Sequence, residues 1–402
     1  MAMLSRQTLR GAVGVLASLM LFSALSNAQP KIIDKDGSAQ PKIADKDGKG
    51  PAGFFVPIEQ AKDCAYDHVR QRLYVTTLKQ LVVVDMKERK IVESIDLLGN
   101  VQGIDISPGA KFLAIAPIGG QFVYKVKLDW KTIDNMEISR IKFKAEGSEP
   151  GVFAVGIGAD DSILFTTTFA GSGGVKARRI NPDDTVDEIG RVQMNTVIAL
   201  TGDRQKAFLG EGNISSGPLQ TYDFKGKSMS KLIDLQCFYY ELACSADGSR
   251  LARPQRAGCD LYDGKGSKLG TLEGAPVIAA TFNPKSNSLY VMRHGELSIQ
   301  EYNIDGKLLP NSYPLDRPLV IKGDVNSRVV ADLQPVGRDT VIANFRRIVN
   351  VNFRAYQSGR LHVTDDGKSL CAVLPNGVYV FDIQEAPAST TTPKPKVKII
   401  DK

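Results

Sequence analysis

The sequence predicts an all-β chain: a seven- or eight-bladed β-propeller closed by an N-terminal strand. Three observations carry this. Short apolar strands follow one another with no long amphipathic helix between them, a strand-turn-strand unit recurs at a fixed period, and the C-terminal unit is one strand short.

The N-terminus sets the expected compartment. Arg6 and Arg10 precede the apolar stretch 11–24, which is too short to span a bilayer, and Ser26-Asn27-Ala28 places small residues where signal peptidase reads them. Residues 1–28 are read as a cleaved signal peptide, so the chain is expected to be exported, periplasmic or extracellular. The first cysteine is Cys64, too distant from the cleavage site for lipid attachment. Residues 29–50 carry polar repeats, Gln29 to Gly37 being nearly copied in Gln40 to Gly48, and are expected to be disordered. Their Asp-Lys-Asp-Gly stretches lack the glycine and glutamate spacing of a calcium loop. A short motif read by a partner is their functional alternative.

Residues 51–386 form the expected propeller. A third strand ending in an apolar residue followed by Asp or Asn recurs eight times, at Asp85, Asp129, Asn181, Asp223, Asp263, Asn303, Asn352 and Asp382. The intervals are about 40 to 50 residues except the last, about 30, as four-stranded blades require with one blade incomplete. The run Leu81 to Val84 is continuously apolar, so both its faces should be covered. Phe122 to Leu128 alternates, with Lys125 and Lys127 on the face opposite Phe122, Tyr124, Val126 and Leu128, so one face should be half-exposed. Turns are marked at Ser107-Pro-Gly109, Ala246-Asp-Gly248, Asn283-Pro284, Asp365-Asp-Gly367 and Asn376-Gly377. A four-strand period selects a propeller over a sandwich, because one blade cannot bury both of its faces alone.

The last unit supplies three strands, Leu361 to Thr364, Ser369 to Leu374 and Val378 to Ile383, before a Pro- and Thr-rich basic tail at 387–402, expected to be disordered. An open ring would expose a sheet edge. The one unassigned strand-like segment before the first unit contains Phe54, Phe55 and Val56. It is expected to pair with Val378 to Ile383 as the outer strand, with Pro57 at its end or facing solvent.

Arg72-Leu-Tyr-Val-Thr76, Val82-Val-Val-Asp85, Lys90 to Ile95 and Gly103-Ile-Asp-Ile-Ser-Pro108 resemble, in order and spacing, the repeat of YVTN-type propellers, which are related to WD-type propellers. The match is good over residues 61–116, with shorter copies near 242–251 and 281–291. No Trp-Asp dipeptide is present, and the single tryptophan, Trp130, follows an aspartate. The resemblance implies a fold and a habit of binding, and no one activity.

The formal net charge of +7 is concentrated in the tails, which leaves a nearly balanced core and argues against nucleic acid as a partner. The five cysteines fit neither zinc-ligand spacing nor a dense disulfide scaffold, and read as small buried apolar side chains with room for one disulfide. Of the three histidines, His68 and His294 fall in turns on opposite faces and His362 in a first strand, so no triad or shared metal is expected. Asp160-Asp161, Asp183-Asp184 and Asp365-Asp366 read as turn residues, and Arg178-Arg179 and Arg346-Arg347 as solvated strand edges. No catalytic residue, metal ligand or cofactor is assigned. The favoured function is an exported non-enzymatic binding scaffold whose loops take a protein or glycan partner. The alternatives are a propeller hydrolase or lactonase with a channel site, and a structural envelope component held electrostatically by its tails.

Overall fold

Short strands with one apolar face and tight turns between them can bury that face only by stacking sheet on sheet. The computed structural model describes residues 52–383 apart from 129–135, 147–148, 169–173, 194, 212–215, 237–240, 256–257, 276, 294–295, 297 and 316–358. Its strands are β1 (Gly53–Pro57), then β2 (Asp63–Asp67), β3 (Arg72–Thr76), β4 (Gln80–Asp85) and β5 (Lys90–Asp96) of the first blade. The second blade is β6 (Val101–Ile106), β7 (Phe112–Pro117), β8 (Phe122–Lys127) and β9 (Ile138–Lys142), and the third is β10 (Val152–Ile157), β11 (Ile163–Thr167), β12 (Gly174–Ile180) and β13 (Val186–Gln193). The fourth is β14 (Thr196–Leu200), β15 (Lys206–Glu211), β16 (Ser216–Asp223) and β17 (Ser228–Gln236), and the fifth is β18 (Ala243–Cys244), β19 (Arg250–Gln255), β20 (Gly258–Asp263) and β21 (Lys268–Glu273). The sixth is β22 (Val277–Phe282), β23 (Leu289–Arg293), β24 (Ser298–Tyr302) and β25 (Leu308–Pro314). The seventh holds β26 (Arg360–Val363), β27 (Ser369–Leu374) and β28 (Gly377–Asp382).

Each blade is a four-stranded antiparallel sheet, the first six in chain order, and the described residues contain no helix. The innermost strands touch in the cyclic order β2, β6, β10, β14, β18, β22, β26 and back to β2, which makes a seven-bladed ring. The seventh sheet runs β1-β28-β27-β26, so the N-terminal strand closes the ring from outside. Val56 pairs with Val378, Phe54 with Val380, and Pro57 ends the strand opposite Gly377, where its missing amide hydrogen interrupts nothing further. The blade that the sequence leaves one strand short is therefore completed by the other end of the chain.

The recurring Asp and Asn residues have a local reason. Asp85, Asp263 and Asn303 each accept two backbone N–H bonds from the turn that follows, and Asp223 accepts one from Gly226. These side chains shape the hairpin between third and fourth strands. Asn181 opens the same hairpin through Thr185 and Asp187, while Asp382 donates its amide to Ala52 of the closing segment. Asp129 and Asn352 lie outside the described residues.

Two strand-level expectations meet different outcomes. Leu81 to Val84 is buried on both faces. In β8 the face carrying Lys125 and Lys127 also carries Val123, fully buried against the third blade, whereas Tyr124 and Val126 pack against the first. Both faces of an inner strand are covered in a propeller, so the lysines lie at the rim of a packed face. Arg178 and Arg179 correct the reading of solvated edges: they are 1 % and 3 % exposed. Arg178 binds Glu149 through both carboxylate oxygens at 2.8 and 3.1 Å, and Arg179 pairs with Asp160.

Candidate functional site

The innermost strand of every blade has a neighbour on one side only, so its other edge presents unpaired backbone groups to the axis. Carboxylates meet part of that need. Asp63 of β2 accepts the amide of Ile104 in β6 at 3.2 Å, Asp105 of β6 accepts that of Ile157 in β10 at 2.6 Å, and Glu241, ahead of β18, accepts that of Ala280 in β22. Each acid thus staples its blade to the next. The same residues bring charge into a central cavity of about 620 Å³ lined by the innermost strands of all seven blades.

Two charged clusters cross this channel, and each includes one link between blades that are not neighbours, Arg360–Glu241 and Arg204–Asp105. Arg360 at the head of β26 places Nε 3.2 Å from Asp63 Oδ1 and Nη2 3.0 Å from Glu241 Oε1, tying the seventh blade to the first and the fifth. His362, two residues on and therefore on the same face of the strand, sets Nε2 2.6 Å from Asp63 Oδ1. From the β14–β15 turn, Arg204 grips both oxygens of Asp105 at 2.8 and 3.2 Å and donates to the Ile157 carbonyl at 3.1 Å. Arg204 is near one end of the innermost strands and Glu241 near the other, so the clusters sit at different levels of the channel.

The first cluster divides its acids. Burial works to raise the Asp63 carboxyl, but Arg360, His362 and the Ile104 amide outweigh it and hold the group below its usual range. For Glu241 burial wins, with Asp63 adding to it against Arg360 and His362, and the carboxyl is pushed up to about 7. Glu241 is 4 % exposed, and its Oε2 has no hydrogen-bond partner among the described residues. His362 is 31 % exposed on the cavity wall. When its Nε2–H is donated to Asp63, the other ring nitrogen is an acceptor, so this wall carries a base beside an acid that exchanges its proton near neutrality.

None of these residues stands among the site positions assigned from the sequence. The described hairpin positions lie at the ends of third strands, and Phe54, Phe55 and Val56 belong to the closing strand. His68 is exposed in the β2–β3 turn, and His294 and Arg346-Arg347 lie outside the described residues. Asp160, Asp183 and Asp366 each accept the amide two residues on, the bonding of a turn aspartate. No group of three or more His, Cys, Asp or Glu positioned to hold a metal ion occurs among the described residues. The signal that could have led to the cluster is the charge at the start of innermost strands, Asp63 and Arg360, where the other blades carry Val, Thr or Ala.

No family model matches the chain, and no curated protein matches it. The YVTN-type resemblance therefore rests on the residues that carry it.

Proposed function

We propose that this protein is an exported binding scaffold whose ligand seat is the central channel, and that the ligand is a hydroxyl-rich glycan fragment. The observation that supports this reading is the buried Glu241 carboxyl, its Oε2 without a partner among the described residues, on the wall of a cavity of small-molecule size that Arg360 and His362 also line. A saccharide hydroxyl is both donor and acceptor, so it can satisfy the carboxyl oxygen and the imidazole without bringing a charge into a balanced site. Export comes from the signal-like residues 1–28. The test is isothermal titration of the chain from Gln29 onward with a panel of neutral and acidic oligosaccharides. Saturable binding that Glu241→Gln or His362→Ala weakens at least tenfold supports the seat; binding unaffected by either places the ligand elsewhere.

One observation favours a second reading, a channel hydrolase acting on lactones: the Asp63–His362 pair beside Glu241 has the parts of a general base and a general acid. In that reading His362 takes a proton from attacking water and Glu241 returns one to the leaving alkoxide. Turnover of simple aldonolactones in a pH-stat, lost in His362→Ala with the fold intact, would select it over the scaffold.

A further inference from the structure

Two buried cysteines meet at the ring closure. Cys64 lies in β2 of the first blade and Cys371 in β27 of the seventh, each 1 % exposed, and both belong to the core packed between those blades. That core also holds Phe54, Val56 and Ile58 of the closing segment. Both side chains line one small cavity of about 80 Å³, and the Cys64 thiol feels the Cys371 thiol as a neighbour. Both are free thiols here, and so are Cys244 and Cys259, which sit in the fifth blade.

We propose that Cys64 and Cys371 form a disulfide that covalently locks the first blade to the last. The pairing links positions 64 and 371, so its loop contains almost the whole propeller. Such a long-range cross-link removes the most freedom from the unfolded chain, and it acts where the ring has only non-covalent pairing to hold it shut.

The chemistry is exchange with an external disulfide of the glutathione or protein-oxidoreductase class. One cysteine thiolate attacks a sulfur of that disulfide and expels a thiolate. The second cysteine, as thiolate, then attacks the protein-bound sulfur and expels the other. The Cys64–Cys371 bond forms, the external disulfide is reduced to two thiols, and the two cysteine protons pass to the departing thiolates. Burial, then the contact with Cys371, raises the Cys64 thiol well above its ordinary range, so the folded ring makes little thiolate there. The bond forms best before the first and seventh blades dock, and once enclosed it is shielded from reductants. In the cell it depends on the proposed export, since an oxidising compartment supplies the partner disulfide.

The experiment uses the full chain from Gln29, made in a reducing cytosol, then refolded from denaturant at about pH 8.5 with a glutathione redox pair. Peptide mapping without reductant should show Cys64 joined to Cys371. The melting temperature should rise by several degrees over the reduced protein, a gain that reductant reverses and Cys371→Ala lacks. Since refolding can fail, the same map is made on protein incubated with oxidised glutathione in sub-denaturing urea. Both thiols still alkylating after either route, a pairing through another cysteine, or a bond that leaves the melting temperature unchanged would each overturn the lock. Because the oxidant is supplied in the tube, failure here counts against the pair; failure of export is read separately, from the N-terminus of secreted material.

Discussion

Removing β1 while keeping everything after it tests ring closure directly. A chain beginning at Pro51 retains the closing strand, and one beginning at Glu59 loses it. Phe54, Phe55, Val56 and Ile58 are all at most 7 % exposed, and burying them is worth about 8 kcal/mol at roughly 2 kcal/mol per large apolar side chain. The β1–β28 ladder, with the Asp382 amide on the Ala52 carbonyl and the Ile58 amide on Asn376, adds about 5 kcal/mol at about 1 per hydrogen bond. Ordering the six residues opposes this by about 9 kcal/mol at roughly 1.5 per residue. The net is about 4 kcal/mol. Unfolding entropy near 2.1 cal/mol/K per residue over a ~330-residue ring converts that to a fall of roughly 6 °C. The assay is differential scanning calorimetry of both truncations beside light scattering, because the bared edge of β28 is a template for intermolecular pairing. The Pro51 chain should melt with the protein that begins at Gln29, and the Glu59 chain several degrees lower, with aggregation. Equal melting temperatures for the two truncations would refute closure by β1.

Other perturbations reach the same structure by different routes. Gly377→Ala should mimic the truncation, since a Cβ there would stand 2.3 Å from the Val56 carbonyl oxygen at a φ of 151°; a melting temperature within 1 °C of the parent would contradict this estimate of about 4 kcal/mol. Arg178→Ala leaves Glu149 buried with Thr167 but without its cation and should cost about 3–5 kcal/mol in urea unfolding; a loss below about 1 would show that the pair contributes little. Glu241 has a folded value near 7 against 4.5 unfolded, so the folded chain binds more protons between those pH values. Its contribution is full below about 4.5 and falls by roughly 3 kcal/mol as pH rises through 7, a slope that Glu241→Gln should flatten; an unchanged pH profile would remove the raised carboxyl from the account. Asp63, held below its usual 3.8, acts with the opposite sign, its stabilisation disappearing only on acidification through its lowered value, so Asp63→Asn should be most costly near neutrality.

The ring was readable because each blade repeats one local solution. The Asp or Asn after a third strand recurs for the sake of its own turn amides, a bond made within five residues, and such short-range chemistry leaves a period in the sequence. Closure was readable by deficit: Phe54 to Val56 had strand composition and no unit to join, and β28 had no outer neighbour. What the period could not supply was the blade count, because the Asn352 ending fits the repeat equally well and precedes the last ending by only about 30 residues. Local propensity also could not show that the outward face of β8 is covered, since Lys125 and Lys127 read as solvated until the third blade is laid against Val123.

The channel cluster was not legible for a related reason. Histidine spacing in the sequence does not point to it, because the partner of His362 is Asp63, 299 residues away at the head of another blade's innermost strand. Cyclic symmetry is what brings them together. Once the strands are placed, residues at equivalent inner positions converge on one axis whatever their separation in sequence, so the chemistry of a propeller channel is to be sought by aligning the units and reading down the columns that should be apolar. At the first position of the innermost strand, β6, β10 and β22 carry Val and β14 carries Thr, whereas β2 carries Asp and β26 carries Arg, with Glu241 two residues ahead of β18. These departures concentrate on the first, fifth and seventh blades. A charge taken into the axis there must find a partner across the channel, since buried ions without one are strongly disfavoured. The Asp63–Arg360–Glu241 link is that solution, and the Glu241 oxygen left over is why this side of the channel is the one to probe for a ligand.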